Sequence, residues 1–77
     1  MKRGYQTISP RGLERNWGER AMVLRNRVAY KGRIEISAGG EVYIQSGRRK
    51  IFLEHGENIR IHTPRSLTEY VFLDESD

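Results

Sequence analysis

Between Arg33 and His62, apolar residues recur at every second position, interrupted by short polar segments that contain glycine. This alternation marks β-strands with one buried and one wet face, because successive strand side chains point to opposite sides. Ile34 and Ile36 share one phase, and Val42 and Ile44 resume it after Ala38-Gly39-Gly40, where glycine supplies the positive φ of a tight reversal. A three-residue loop there sets Ile36 opposite Val42. Ser46-Gly47-Arg48-Arg49 has glycine first in a two-residue loop, as a type II′ turn requires, which sets Ile44 opposite Ile51 and Val42 opposite Leu53. A third reversal at His55-Gly56-Glu57 then sets Leu53 against Ile59 and Ile51 against Ile61.

The pattern predicts a four-stranded antiparallel meander with two inward rows, Ile36-Val42-Leu53-Ile59 and Ile34-Ile44-Ile51-Ile61. A slip of one residue would turn a strand's apolar set to solvent, so the register is strongly specified. Ile34, Ile36, Gly39, Val42 and Ile44 recur seventeen residues later as Ile51, Leu53, Gly56, Ile59 and Ile61, so the two hairpins read as copies. A parallel solenoid would show the same period, but two copies are too few to close a stacked core. On the opposite face the same register predicts one row of Glu35, Tyr43, Phe52 and Arg60, and a second of Arg33, Gln45, Lys50 and His62.

Before this stretch, residues 1–9 are polar and read as a flexible basic arm. Ser9-Pro10 suits the N-cap and first position of a helix, since the serine oxygen accepts an orphan N–H and proline lacks one. Leu13, Trp17, Ala21 and Leu24 have the spacing of one helical face. Gly12 and Gly18 oppose a long helix at about 1 kcal/mol each, so a turn or two over Arg11 to Trp17 is expected, then an extended Arg20 to Leu24. Asn26 suits a turn, and Val28, Tyr30, Gly32, Ile34 and Ile36 keep one parity, so a long strand starts near Arg27 and bends or is closely approached at Lys31-Gly32. Thr63-Pro64-Arg65-Ser66 reads as a turn, Thr68 to Leu73 as a last strand packed on both faces because Tyr70 to Leu73 are all apolar, and residues 74–77 as an acidic tail. The whole is expected to be mainly β, a four- to six-stranded antiparallel meander curling toward a small SH3-like barrel, with a short N-terminal helical turn. SH3-like barrels share this strand rhythm, but rhythm is no family motif and fold would not settle function.

At 77 residues the chain suits one domain, and such a domain buries only about 60% of its unfolded surface, so dimerisation, a partner or sheet closure would each help it. With no cysteine there is no disulfide frame, thiolate chemistry or zinc ribbon, which is compatible with a reducing cytoplasm. No run approaches the ~18 apolar residues of a membrane span, and Met1-Lys2-Arg3 leads into no apolar segment, so a cytoplasmic location away from membranes is expected. Charge changes the picture through its distribution. Residues 1–33 hold nine Lys or Arg against two acids, whereas residues 34–77 hold five against eight, within a net charge of +4. A positive end favours nucleic acid, an anionic surface or an acidic protein.

The candidate binding set is therefore Arg33, Tyr43, Lys50, Phe52 and Arg60 on the sheet, with Arg48 and Arg49 at the adjoining turn. Cations neutralise phosphates, and unstacked bases lie on aromatic faces. Arg11, Arg15, Arg20, Arg27 and Lys31, with Arg25, would extend the basic surface. The competing reading makes Tyr43 and Phe52 a second small core under the Trp17 segment, with Arg60 stacked on Phe52. His55 and His62 lack the spacing of a metal pair, and neither has a nucleophile or second catalytic group beside it. No phosphate loop precedes a helix. No cofactor, metal or enzymatic role is expected. Two functions remain: a basic module that binds nucleic acid, or a small regulator or inhibitor, for instance of phage or mobile-element type, that docks on a larger protein or nucleoprotein complex. A homo-oligomer pairing sheet edges is a third, structural reading.

Overall fold

In the computed structural model, which describes residues 6–74, the alternating pattern becomes seven strands in one sheet. They are β1 (Gln6–Ile8), β2 (Arg20–Arg25), β3 (Val28–Ile36), β4 (Val42–Ser46), β5 (Arg49–Phe52), β6 (Asn58–His62) and β7 (Leu67–Phe72). A single helical turn, α1 (Pro10–Leu13), and a 3-10 turn over Glu14–Asn16 separate β1 from β2. The spatial order is β1-β7-β6-β2-β3-β4-β5, antiparallel throughout except for the parallel pair of β1 with β7.

The first two reversals of the central stretch form as the glycine positions dictate. Ser37 and Glu41 close a three-residue loop through the Ser37 N–H to the Glu41 carbonyl, with Gly40 at φ 90°, and Ile36 stands opposite Val42. Gly47 takes φ 62° and Arg48 stays at negative φ, the sign pattern of a type II′ turn, and Ile44 stands opposite Ile51. A further hairpin precedes them: Asn26 and Arg27 both adopt positive φ, as a type I′ turn requires, and join β2 to β3. Asparagine tolerates that region better than most residues.

The third reversal does not form a hairpin, and this corrects the expected meander and the expected internal duplication. β6 pairs with β2 and β7 and does not meet β5. The segment between β5 and β6 is engaged elsewhere. The Gly56 N–H donates to the Phe72 carbonyl at 2.7 Å, the Phe72 N–H donates to the Glu57 carbonyl at 2.8 Å, and Arg25 clamps Glu57 through two hydrogen bonds of 2.7 and 2.8 Å. Ile59 and Ile61 keep their inward phase, but their neighbours are Val23 and Ala21. The barrel expectation is also overturned: the sheet is open, with β1 and β5 as its two end strands. Of the arm expected over residues 1–9, Gln6–Ile8 is strand β1, and residues 1–5 lie outside the described residues, as do residues 75–77 of the acidic tail.

One face of the sheet carries the core. Ala21, Val23, Ile34, Val42, Ile44, Ile51, Ile59, Ile61 and Phe72 are buried there, joined by Leu53 and by Leu13 of α1. Ser9 caps α1 by accepting the Gly12 N–H at 3.3 Å, with Pro10 first in the helix, which holds Leu13 in place. Gly32 has the inward parity but no side chain for a physical reason. A Cβ there would lie 2.0 Å from the Gln45 carbonyl oxygen and 2.9 Å from Ile44 Cγ2, so the β4 backbone approaches β3 where only glycine fits. No helix of the described residues is long and apolar enough to cross a membrane.

The Arg25–Glu57 pair ties the β2–β3 turn to the segment after β5. Arg25 also donates to the Phe52 carbonyl at 2.9 Å, and Glu57 accepts the Glu54 N–H at 2.9 Å. Burial works against ionisation of Glu57. The hydrogen bonds from Arg25 and from the Glu54 backbone, with the Arg25 charge, outweigh it and hold the carboxyl below its ordinary 4.5.

Candidate functional site

Because Ala21 and Val23 point inward, Arg20, Met22 and Leu24 point outward from β2. The same rule turns Lys31, Arg33 and Glu35 outward on β3, Tyr43 and Gln45 on β4, Lys50 and Phe52 on β5, and Arg60 and His62 on β6. The registers then assemble one row across six strands, Leu67-His62-Arg20-Arg33-Gln45-Lys50, and a second, Glu69-Arg60-Met22-Lys31, beside it. The middle of these rows lines an open concavity of about 620 Å³, with half-buried Met22 and the exposed Leu67 among its apolar surface.

Its lining is predominantly basic, with Arg20, Lys31, Arg33 and Arg60 against a single carboxylate, Glu35. Among the described residues the ion pairs are Arg25–Glu57 and Arg60–Glu69, the latter at 3.7 Å and exposed, where such a pair contributes little. Arg20, Lys31, Arg33 and Lys50 have no carboxylate partner in either. Arg20 and Arg33 stand directly opposite each other on adjacent strands, an arrangement that costs stability because like charges face across the ladder. Arg33 spends one N–H on the Gly18 carbonyl at 2.9 Å, and its remaining donors stay available. An anion seated between the two guanidinium groups would relieve the repulsion and accept from both.

Two residues further along the strands lies the row Glu35-Tyr43-Phe52. The Tyr43 and Phe52 rings are tilted by 49° with centroids 5.1 Å apart, and Lys50 Nζ sits 5.2 Å from the Tyr43 centroid. The Trp17 indole N–H donates to Glu35 Oε1 at 3.0 Å, which brings a third ring to this row. Trp17 is 53% exposed, Phe52 41%, and Tyr43 only half-buried, so the rings are not sealed into a second core under Trp17.

Of the residues singled out from sequence, the fold brings Arg33, Tyr43, Lys50 and Phe52 together as the two predicted rows required. Arg60 is not beside Phe52. It stands between Met22 and Glu69, since β6 joins β2, and it enters the site by lining the concavity with Arg20 and Lys31. His62 likewise neighbours Arg20 in place of Lys50. Arg48 and Arg49 sit at the β4–β5 tip, where Gln45 Nε2 donates to the Gly47 and Arg49 carbonyls, and Arg27 occupies the β2–β3 turn. Arg11 and Arg15 do not extend the surface: they line a separate depression with Ile8 and Tyr70. Met22, Leu67 and the Arg20–Arg33 opposition escaped sequence reasoning, although the parity of Ala21 and Val23 would have turned Arg20 and Met22 outward once Arg20–Arg25 was read as a strand. His55 Nδ1 accepts the Asp74 N–H at 3.0 Å, and among the described residues no three His, Cys, Asp or Glu cluster as metal ligands. Comparison with family models, with curated proteins and with solved structures returns no match to this chain.

Proposed function

We propose that this small mainly-β chain is a non-enzymatic module that binds nucleic acid through the outward face of its sheet. The observation that carries this reading is the set of cations Arg20, Lys31, Arg33 and Lys50, which make no ion pair among the described residues, above all Arg20 facing Arg33. Such a juxtaposition costs folding stability and is offset when a phosphate enters between the two forks. Arg20, Lys31, Arg33 and Lys50 neutralise backbone phosphates, Arg60 adds to the field once displaced from Glu69, and Met22 supplies an apolar floor. This mode of binding is electrostatic and largely indifferent to sequence.

The test is fluorescence anisotropy of a labelled oligonucleotide over a range of salt concentrations. Four cations on a single strand predict a slope of about −3 in log affinity against log salt. Arg20→Gln and Arg33→Gln should each weaken binding and flatten that slope by about 0.7. A slope near zero, or affinity indifferent to both substitutions, overturns the reading.

A further inference from the structure

We infer that the row formed by Trp17, Glu35, Tyr43 and Phe52 is a base-binding ledge that selects single-stranded over duplex nucleic acid. The inference rests on the reading of the cationic face as a phosphate site and adds to it the form of the ligand. The ledge lies two residues along β3, β4 and β5 from Arg33, Gln45 and Lys50, a displacement of about 7 Å. A phosphate on Arg33 or Lys50 therefore leaves its own base to fall on the ledge.

The two parts of the surface differ in sign, which orients the strand. Glu35 is the carboxylate lining the concavity, and the Trp17 indole N–H fixes one of its oxygens. Negative charge there repels phosphates and accepts donors from a base edge, so the sugar-phosphate chain keeps to the arginine rows. The rings divide the work as well. Lys50 already occupies one face of Tyr43, whereas Phe52 is 41% exposed, so Phe52 offers the open stacking surface with Tyr43 tilted against its side. Within a duplex the base faces are covered by their neighbours, and only an unpaired strand can present one to Phe52.

Three equal-length probes separate the possibilities: a single-stranded oligodeoxynucleotide, the matching abasic sugar-phosphate chain, and the blunt duplex. Wild-type protein should bind the single strand at least about fivefold more tightly than the abasic chain, the effect of one stacked base, and more tightly than the duplex. Phe52→Leu, which keeps an apolar side chain at the position, should remove most of that difference. Trp17 is the single tryptophan of the chain, so its emission should change with the single strand and stay unchanged with the abasic chain. Equal affinity for the abasic and single-stranded probes, with salt-dependent binding of both, overturns the ledge while the phosphate site stands. Absence of salt-dependent binding by all three overturns both. The abasic comparison uses the unaltered protein, so the conclusion does not depend on the variant folding.

Discussion

Replacing Gly32 by alanine tests how the two halves of the sheet are held together. The added Cβ would lie 2.0 Å from the Gln45 carbonyl oxygen, 2.6 Å from the carbonyl carbon and 2.9 Å from Ile44 Cγ2. The first two atoms are backbone and cannot rotate away. To reach even a tight contact, β4 would have to retreat by about 1 Å, since dispersion turns to steep repulsion inside the van der Waals distance. β4 carries Val42 and Ile44 into the core and pairs on both edges, so the retreat disturbs β3 and β5 together. Overpacking where side chains can yield costs about 1–3 kcal/mol, and a backbone obstruction should reach the top of that range or exceed it. That is a large share of the roughly 4–12 kcal/mol expected of a domain this size. Urea unfolding followed by circular dichroism should show a midpoint lower by about 2 M or more, or no folded baseline. Gly39→Ala is the control, because its nearest neighbour, Ser37 Oγ, is 4.0 Å away. It should be neutral or gain up to about 1 kcal/mol through a less flexible unfolded chain. An unchanged midpoint for Gly32→Ala would refute the close passage of β4.

Glu57→Gln should cost about 1–3 kcal/mol at neutral pH, because charge-assisted bonds from Arg25 are weakened at a site where the two side chains are only 29% and 17% exposed. The folded carboxyl titrates below its ordinary 4.5, so its contribution is fully present above that pH and is lost as pH falls through the folded value. Stability profiles of the wild type and Glu57→Gln should thus converge in acid, and a constant offset down to the lowest pH would contradict the coupling. Arg20→Gln should leave the fold intact and raise stability at low salt by a few tenths of a kcal/mol, about the size of one cross-strand pair term, while weakening oligonucleotide binding. Loss of stability at low salt would show that Arg20 supports the fold. Ser9→Ala should cost about 0.5–2 kcal/mol through loss of the α1 cap, read by thermal unfolding.

The registers of β3, β4 and β5 were legible because parity and turn chemistry act on the same residues. Ile34, Ile44 and Ile51 had to share a face, and the loops at Gly40 and Gly47 left one way to align them. β6 lies between β7 and β2, where parity and local turns alone do not put it. Parity determines which side Ile59 and Ile61 face, but it is silent on which strand lies alongside, and Ala21 and Val23 offer the same inward pattern as Ile51 and Leu53. The choice is made by contacts distant in sequence: Arg25 on Glu57, and Gly56 and Glu57 on Phe72. β1 was hidden for another reason, since three residues in parallel pairing carry almost no periodicity. At the site, Tyr43 beside Phe52 followed from the local hairpin. The opposition of Arg20 and Arg33 required the Asn26-Arg27 reversal to be recognised as a hairpin, a step that a low-hydrophobicity turn with arginine at positive φ does not announce.

The most direct measurement of the outward face as a binding surface is the methyl spectrum of Met22 during titration with a single-stranded oligonucleotide. Met22 lies within the concavity between Arg60 and Lys31, whereas the Val23 methyls next to it point into the core on the opposite side of the same strand. A large shift of the Met22 methyl is expected with little change at Val23, and a smaller response when salt is raised or Arg33 is replaced by glutamine. A Met22 signal that stays still while residues around Arg11 and Arg15 respond would place binding elsewhere and contradict the proposed surface.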